Sequence, residues 1–325
     1  MTVKLTDVAK KAGVSPTTVS RVINRRGYIS QETIDKVEQA MRDLHYQPNT
    51  LARSLQGKQT YLIGLVFPSI RQPFFAELVE RLEFYFFERG YKCILCDSEN
   101  QKEKERSYLN MLAANKVDGI IAGAHNLGIE EYNNYHLPII SFDRALAETI
   151  PIVSSDNYQG GELAATTLIN KGCQKIGIIT GANNTDSPTV ARLGGFITAL
   201  QDHHKTPYVY RFQSHYTDSL RLMEIRRILQ EEKLDGLFCT DDLTAITVYN
   251  EACSMGIHIP KDLKLIGYDG TQFIQRYFPK LSTIAQPIDD EARLLCDLLC
   301  QQIEDNKKEV RNYELPVKLI IGDTI

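Results

Sequence analysis

Near the start of the chain, apolar residues recur at spacings of three and four and predict short helices. Leu5, Val8, Ala9 and Ala12 form one stripe that stops at Gly13, a residue suited to the left-handed turn after a helix. Val19, Val22 and Ile23 form a second, with Ser15 as N-cap and Pro16 at the first helical position, where the missing N–H costs nothing. Ser30 opens a third, whose apolar face is Ile34, Val37, Met41 and Leu44. Helix, Gly-Val-Ser turn and helix predict a helix-turn-helix, with the third helix closing one small core. After it, Asn49 can cap and Gly57 can end a two-turn helix, a length that is marginal alone in water. This segment reads either as a linker or as something that folds on a partner.

From residue 61 the period changes. Short apolar runs at 61–67, 91–96, 117–123, 138–143 and 150–155 alternate with amphipathic stretches, and a second set follows at 175–180, 208–212, 235–240 and 263–268. Continuous apolar strands separated by helices predict parallel sheets covered on both faces. The runs 282–286, 288–304 and 311–321 add a strand, a helix and two short strands that return to the two sets. The fold class expected is α/β: a three-helix head, a hinge helix, then two doubly wound lobes with a cleft near the C-terminal strand ends. The boundaries expected are a head at 1–47, a hinge and linker at 48–60 and a core at 61–325. Within the core, the N-lobe takes about 61–156 and 287–315, and the C-lobe about 157–286 and 316–325.

Charge adds a division of labour to this outline. The 325 residues carry a net charge of −4, but residues 1–58 hold ten Lys and Arg against five Asp and Glu, and the remainder holds 27 against 36. A basic head on an acidic body suits a module for a polyanion attached to one that need not touch it. The start of the chain lacks the apolar segment of a secretion signal, and no stretch approaches the ~18 uninterrupted apolar residues of a membrane span. A cytoplasmic protein without membrane contact is expected.

The candidate chemistry points away from catalysis. The seven cysteines are expected to be buried thiols; Cys93 and Cys96 lie on one strand at an odd separation, which turns their side chains to opposite faces. No metal or cofactor is expected. GxGxxG after the first strand and GxxxxGK(S/T) anywhere are both missing, which disfavours nucleotide binding. No nucleophile and base stand at motif spacing, and the adjacent acids Asp241 and Asp242 do not converge on one bond, so an enzyme is not expected. The second helix of the head is more telling. Off its apolar stripe lie Thr17, Thr18, Ser20, Arg21 and Asn24, hydrogen-bonding residues with a single charge, a face able to read base edges in a major groove.

The segments LTDVAKKAGVSPTTVSRVIN, NTLARSLQGK, LIGLVFPSIRQPFF, VSSDNYQGG, RLGGF, TDDLTAI, IGYDGT and STIAQPI run from Leu5 to past Ile288. On these the chain resembles the lactose/galactose repressor family of bacterial transcription regulators. Within it, the run SFDRALAETIPIVSSDN and the use of TDD are most similar to members that control sucrose utilisation. The resemblance implies a homodimeric repressor that binds a pseudo-palindromic operator in double-stranded DNA and leaves it when a sugar or sugar phosphate fills the cleft. The alternative is a global catabolite regulator of the same family working with a phosphocarrier protein. No heptad repeat follows the last strand, so a dimer and not a tetramer is expected.

The resemblance also implies roles for single residues. Pro16, Thr17 and Arg21 occupy the positions that face base edges; Arg21 can pair bidentately with a guanine and Thr17 can reach a base edge or a thymine methyl. Ser15, Ser20, Asn24, Ser30 and Thr33 look like phosphate contacts, since short polar groups at helix starts bond backbone oxygens. In the hinge, Leu55 matches a leucine that family members wedge into the minor groove, Ala52 is small enough for close approach, and Asn49 caps the helix. The family's cleft positions fall on Asp143, Arg192, Asp241, Asp269 and Gln286, with Phe74 for packing. Acids and amides accept from vicinal hydroxyls and arginine supplies a fork of donors. Asp241 stands where asparagine is common in the family, and Arg71 and Gln72 where serine and asparagine are frequent before PFF. Arg71, Arg144 and Arg192 near one mouth would provide the positive charge for a phosphorylated sugar.

Overall fold

Three helices build the first of the two units into which the chain divides, Met1–Thr60 and Tyr61–Ile325. The computed structural model describes residues 3–23, 27–46, 59–124, 126–127, 129–182, 187–213, 215–305 and 311–325. Asn24 and the hinge residues Asn49, Ala52 and Leu55 lie outside the described residues. In the first unit, α1 (Leu5–Ala12) ends at Gly13, whose φ of 67° is the left-handed conformation that only glycine adopts without strain. The α2 helix (Pro16–Ile23) starts where Ser15 Oγ accepts a bond from the Thr18 amide at 3.1 Å, and α3 (Gln31–Asp43) where Ser30 Oγ accepts from Thr33 N at 3.4 Å. Val8, Ala9, Val19, Val37 and Ala40 are buried between them, and a Lys11–Asp43 ion pair of 2.9 Å ties α1 to α3.

The second unit contains two six-stranded sheets. The first holds β1 (Leu62–Phe67), β2 (Lys92–Asp97), β3 (Gly119–Ala122), β4 (Ile139–Phe142), β5 (Ile152–Ser155) and β11 (Tyr313–Leu315), in the order β11-β5-β4-β3-β1-β2. All its pairings are parallel. The second sheet holds β6 (Ile176–Gly181), β7 (Tyr208–Phe212), β8 (Gly236–Cys239), β9 (Lys264–Asp269), β10 (Ser282–Ala285) and β12 (Lys318–Ile320), in the order β12-β10-β9-β8-β6-β7. The alternating runs predict parallel sheets; the short final strand β12 runs antiparallel to β10. Nor is every apolar run buried on both faces. YKCILC forms the edge strand β2, in which Lys92 and Leu95 are exposed.

Helices cover the sheets. On the first, α4 (Pro73–Glu88) and α12 (Ile288–Asp305) bury Leu78, Leu82, Phe86, Leu295 and Leu299 against one face. On its other face α5 (Lys102–Ala114) and the short α6 (Ile129–Asn133) close a core with Leu109, Leu112 and Ile120. On the second sheet, α7 (Asn157–Asn170) and α8 (Pro188–Asp202) lie on one face, and α9 (Asp218–Glu231) and α10 (Asp242–Ser254) on the other. The chain passes between the sheets after β5, after β10 and after β11. A short helix absent from the sequence reading, α11 (Gln272–Tyr277), follows β9. Among the described residues no helix is long and apolar enough to cross a membrane. Of the cysteines, Cys253 is exposed, against the expectation of burial.

Candidate functional site

The helices α7 and α8 cross so closely that a Cβ on Gly161 would overlap the Arg192 carbonyl oxygen, and one on Gly195 the Tyr158 carbonyl oxygen. This approach brings Asn157, at the start of α7, beside Arg192 on α8. Asp156 caps α7 by accepting from the Gln159 amide at 2.8 Å, which fixes Asn157 at the C-terminal end of β5, where open α/β sheets hold ligands.

Arg192 is buried and its guanidinium is fully oriented. Nε donates to Asn157 Oδ1 at 2.8 Å, Nη1 donates to the Thr240 carbonyl at 2.7 Å, and Nη1 lies 3.9 Å from Asp269 Oδ1. The guanidinium carbon sits 3.6 Å from the centre of the buried Tyr268 ring, a cation–π contact. Asn157 Nδ2 donates to Asp143 Oδ1 at 2.9 Å, so one amide links an acid after β4 to the arginine of the other lobe. Gln286 Nε2 donates to Asp269 Oδ1 at 2.8 Å, while Gln286 Oε1 is buried without a hydrogen-bond partner among the described residues. Asp143 and Asp269 have φ of 68° and 111°, left-handed conformations that cost side-chain-bearing residues energy and hold their carboxylates at the cleft.

The cluster is rich in acid. Burial pushes Asp143 and Asp269 above the ordinary carboxylate range, Asp269 strongly, although Arg192 opposes both shifts. Asp242, buried between the Gly270 amide at 2.8 Å and Thr283 Oγ1 at 2.6 Å, is pushed up to about 7. Glu291, at the first turn of α12, is fully buried, accepts from Ser155 Oγ at 2.6 Å and is pushed up to about 8; burial is the main cause, Asp143 adds to it, and Ser155 and Arg192 oppose it. Raised acids hold a proton in the folded chain that the unfolded chain has lost, so they lower stability as pH climbs from the unfolded towards the folded value. Urea unfolding should therefore show stability falling between about pH 5 and pH 8, and a shallower fall for Glu291→Gln, which is neutral throughout. Parallel slopes would show that Glu291 is ionised in the folded protein.

Two residues expected to face a ligand are otherwise engaged. Asp241 caps α10, its Oδ1 accepting from Thr244 N at 2.8 Å and its Oδ2 from Thr244 Oγ1 at 2.7 Å. Phe74 is buried in the core of the first lobe, its ring 5.8 Å from Phe142 and 5.4 Å from Phe75, and Phe75 is the half-buried member of the pair. Arg71 is exposed in the loop after β1, with its amide on Ser69 Oγ at 3.2 Å, and Arg144 is half-buried beside Asp143. Across the cleft, Glu77 Oε2 on α4 accepts from the Gln272 amide of α11 at 2.8 Å. Sequence reasoning missed Asn157, Tyr268 and Glu291. Asn157 had a signal: Asp-Asn directly after an apolar strand, at the strand end where sites gather.

In the head, Pro16, Thr17 and Arg21 are exposed along α2, with Ser20 half-buried on the same helix. Ser15 and Ser30 each hold a helix start, and their hydroxyls lie 2.9 Å from Thr18 Oγ1 and Thr33 Oγ1.

A helix-turn-helix unit in one chain with a two-lobed α/β core, its cleft lined by acids, amides and one oriented arginine, defines a class of ligand-binding regulatory proteins. Residues 4–49 match the lacI family of bacterial regulatory proteins, and residues 165–325 match the periplasmic binding protein-like domain. The chain is 54% identical over 322 residues to a sucrose operon repressor of Pediococcus pentosaceus, covering 99% of each. It is 52% identical over 325 residues to a sucrose operon repressor of Streptococcus mutans, covering 100% of each. Among solved structures it is similar to the lac repressor dimer bound to operator and the anti-inducer ONPF, at 26% identity and a TM-score of 0.85 over 100% of this chain and 99% of that one. The chain belongs to the lacI family of bacterial regulatory proteins.

Proposed function

We propose that this protein is a DNA-binding repressor of a sugar operon, that the operon serves sucrose utilisation, and that a sugar bound between the lobes releases it from its operator. The observation that carries this reading is the full-length identity of 50–54% to sucrose operon repressors, which spans head and core together. The cleft supports it chemically. Asp143, Asp269 and the unpartnered Gln286 Oε1 present acceptors for hydroxyl groups, and Arg192 is braced as a donor rather than as a mobile charge. Asp242, the acid next to Asp241, is committed to the Gly270 amide and Thr283.

The repressor works in the cytoplasm as a homodimer, its two heads on the half-sites of a pseudo-palindromic operator. Exposed Phe84 and Phe87 on α4 offer apolar surface to a second subunit. Thr17 and Arg21 read bases, Ser15, Ser20, Asn24, Ser30 and Thr33 set register on phosphates, Pro16 starts the helix, and Leu55 with Ala52 and Asn49 engages the minor groove. Sugar closing the cleft favours the DNA-free state by its difference in affinity for the two states, a coupling of ~1–3 kcal/mol.

The test is operator binding by Arg21→Ala in a gel shift at several salt concentrations. Specific affinity should fall by ~1–3 kcal/mol with little change for random DNA. Equal losses on both would remove Arg21 from base recognition.

A further inference from the structure

The two lobes begin their sheets with the same local device. Lys116-Val117-Asp118-Gly119 leads into β3 as Lys233-Leu234-Asp235-Gly236 leads into β8, and Lys116 and Lys233 share a left-handed φ, 51° and 47°. In each lobe the aspartate reaches across to the start of the neighbouring strand. Asp118 Oδ2 accepts from the Tyr61 amide at 2.7 Å, directly before β1. Asp235 accepts from the Gln174 amide at 2.7 Å and the Lys175 amide at 2.8 Å, directly before β6.

What enters the staple differs. In the second lobe it receives the chain coming from α7, a helix of the same lobe, and Gln174 is not left-handed. In the first lobe it receives Tyr61, the first residue of the second unit, directly after the segment that leads from the head. Tyr61 is left-handed, with φ of 57°. A residue with a side chain keeps that conformation only where its surroundings impose it. Asp118 holds its N–H, the Lys92 amide donates to its carbonyl at 2.9 Å, and its ring lies 5.5 Å from that of buried Tyr91.

We infer that the Asp118–Tyr61 staple is a positioning device for operator recognition, fixing the direction in which the chain leaves the core for the head. This rests on the reading of the protein as an operator-binding repressor. Rotation about the N–Cα bond of Tyr61 turns everything before it, so relaxation of φ to the extended value of about −120° would re-aim the connection. Two heads must meet half-sites at a fixed spacing, a demand that random DNA does not make.

Gel shifts of the full-length protein test it, using a duplex that the wild type selects from a random-sequence pool beside an unselected duplex. Asp118→Ala should bind the selected duplex at least about tenfold more weakly, the scale of one hydrogen bond to a charged group, with little change on the unselected one. Tyr61→Pro, which has no N–H and holds φ near about −65°, should lose as much. Tyr61→Gly keeps the N–H and takes a left-handed φ without strain, so it should lose less. Asp235→Ala breaks the matching staple in the other lobe; it should lower the thermal unfolding midpoint as Asp118→Ala does, yet keep its affinity for the selected duplex. Thermal unfolding reports that each variant is folded, and if Asp118→Ala is not, the two Tyr61 variants decide. If folded Asp118→Ala or Tyr61→Pro binds the selected duplex like the wild type, the inference fails while the repressor reading stands. If Asp235→Ala loses as much affinity as Asp118→Ala, lost stability explains both and the inference fails. If the wild type selects no sequence, the repressor reading fails and this inference with it.

Discussion

Replacing Arg192 with alanine should cost about 3–5 kcal/mol of unfolding free energy, the range for removing one partner of a buried ion pair. The reason is the company it keeps. Its guanidinium lies 3.9 Å from Asp269, reaches Asp143 through Asn157, and opposes the upward shifts of Asp143, Asp242, Asp269 and Glu291. Without it those acids face one another and burial alone. They can escape by binding protons, so the deficit should grow with pH: smallest near pH 5, where protonation is easy, and largest near pH 8. Arg192→Lys should rescue little, because an ammonium cannot bond Asn157 and the Thr240 carbonyl while stacking flat on Tyr268. The check is urea unfolding of both variants across that pH range, alongside sugar-dependent release from operator DNA, which both should lack. A pH-independent loss under about 1 kcal/mol would show that the guanidinium does not offset the acids.

Gly161→Ala should be about as severe, on the order of 3 kcal/mol or more, for a purely steric reason. The added methyl would occupy the space of the Arg192 carbonyl oxygen, and backbone in the middle of a helix cannot swing aside as a side chain can. Separating α7 from α8 would also pull Asn157 away from Arg192, so sugar affinity should fall even in the fraction that folds. Gly194→Ala is the matched control on α8. Its methyl would meet Tyr158 Cε2 at 3.5 Å, an ordinary contact, and alanine's better helix propensity should leave the protein as stable or slightly more so. Thermal unfolding of the two variants side by side separates steric overlap from helix propensity.

Much of the fold was legible because its signals are local and repeated. Apolar runs alternating with amphipathic helices identify doubly wound lobes without reference to any one residue, and Ser15-Pro16 and Ser30 mark helix starts that the structure contains. What escaped depends on neighbours distant in sequence. YKCILC reads the same whether its strand is central or at an edge, and only sheet order decides; likewise, antiparallel β12 has too few residues to announce its direction.

At the cleft, the sequence could name residue types but not what they already touch. Asp241 is a good ligand on paper, yet Asp-Asp-Leu-Thr is equally an N-cap followed by the threonine it holds, and the cap accounts for both oxygens. Of the two phenylalanines after Pro73, helix rotation alone decides that Phe74 enters the core. Asn157, Tyr268 and Glu291 come together from three elements and serve chiefly to hold Arg192 and the lobe connection, a role with no motif of its own.

The three passages of the chain between the sheets bear on how such a molecule is made. The core of the first lobe includes Leu295 and Leu299 of α12, and its sheet is completed by β11. The second lobe is closed by Thr324, whose hydroxyl donates to the Leu265 carbonyl at 2.7 Å and accepts from the Ser282 amide at 2.8 Å. Neither lobe can therefore reach its final packing until almost the entire polypeptide has left the ribosome, whereas the three head helices need only the first few dozen residues. During synthesis the head therefore matures first and the two lobes last, so a product cut short before β11 would carry a folded head on an unfinished core.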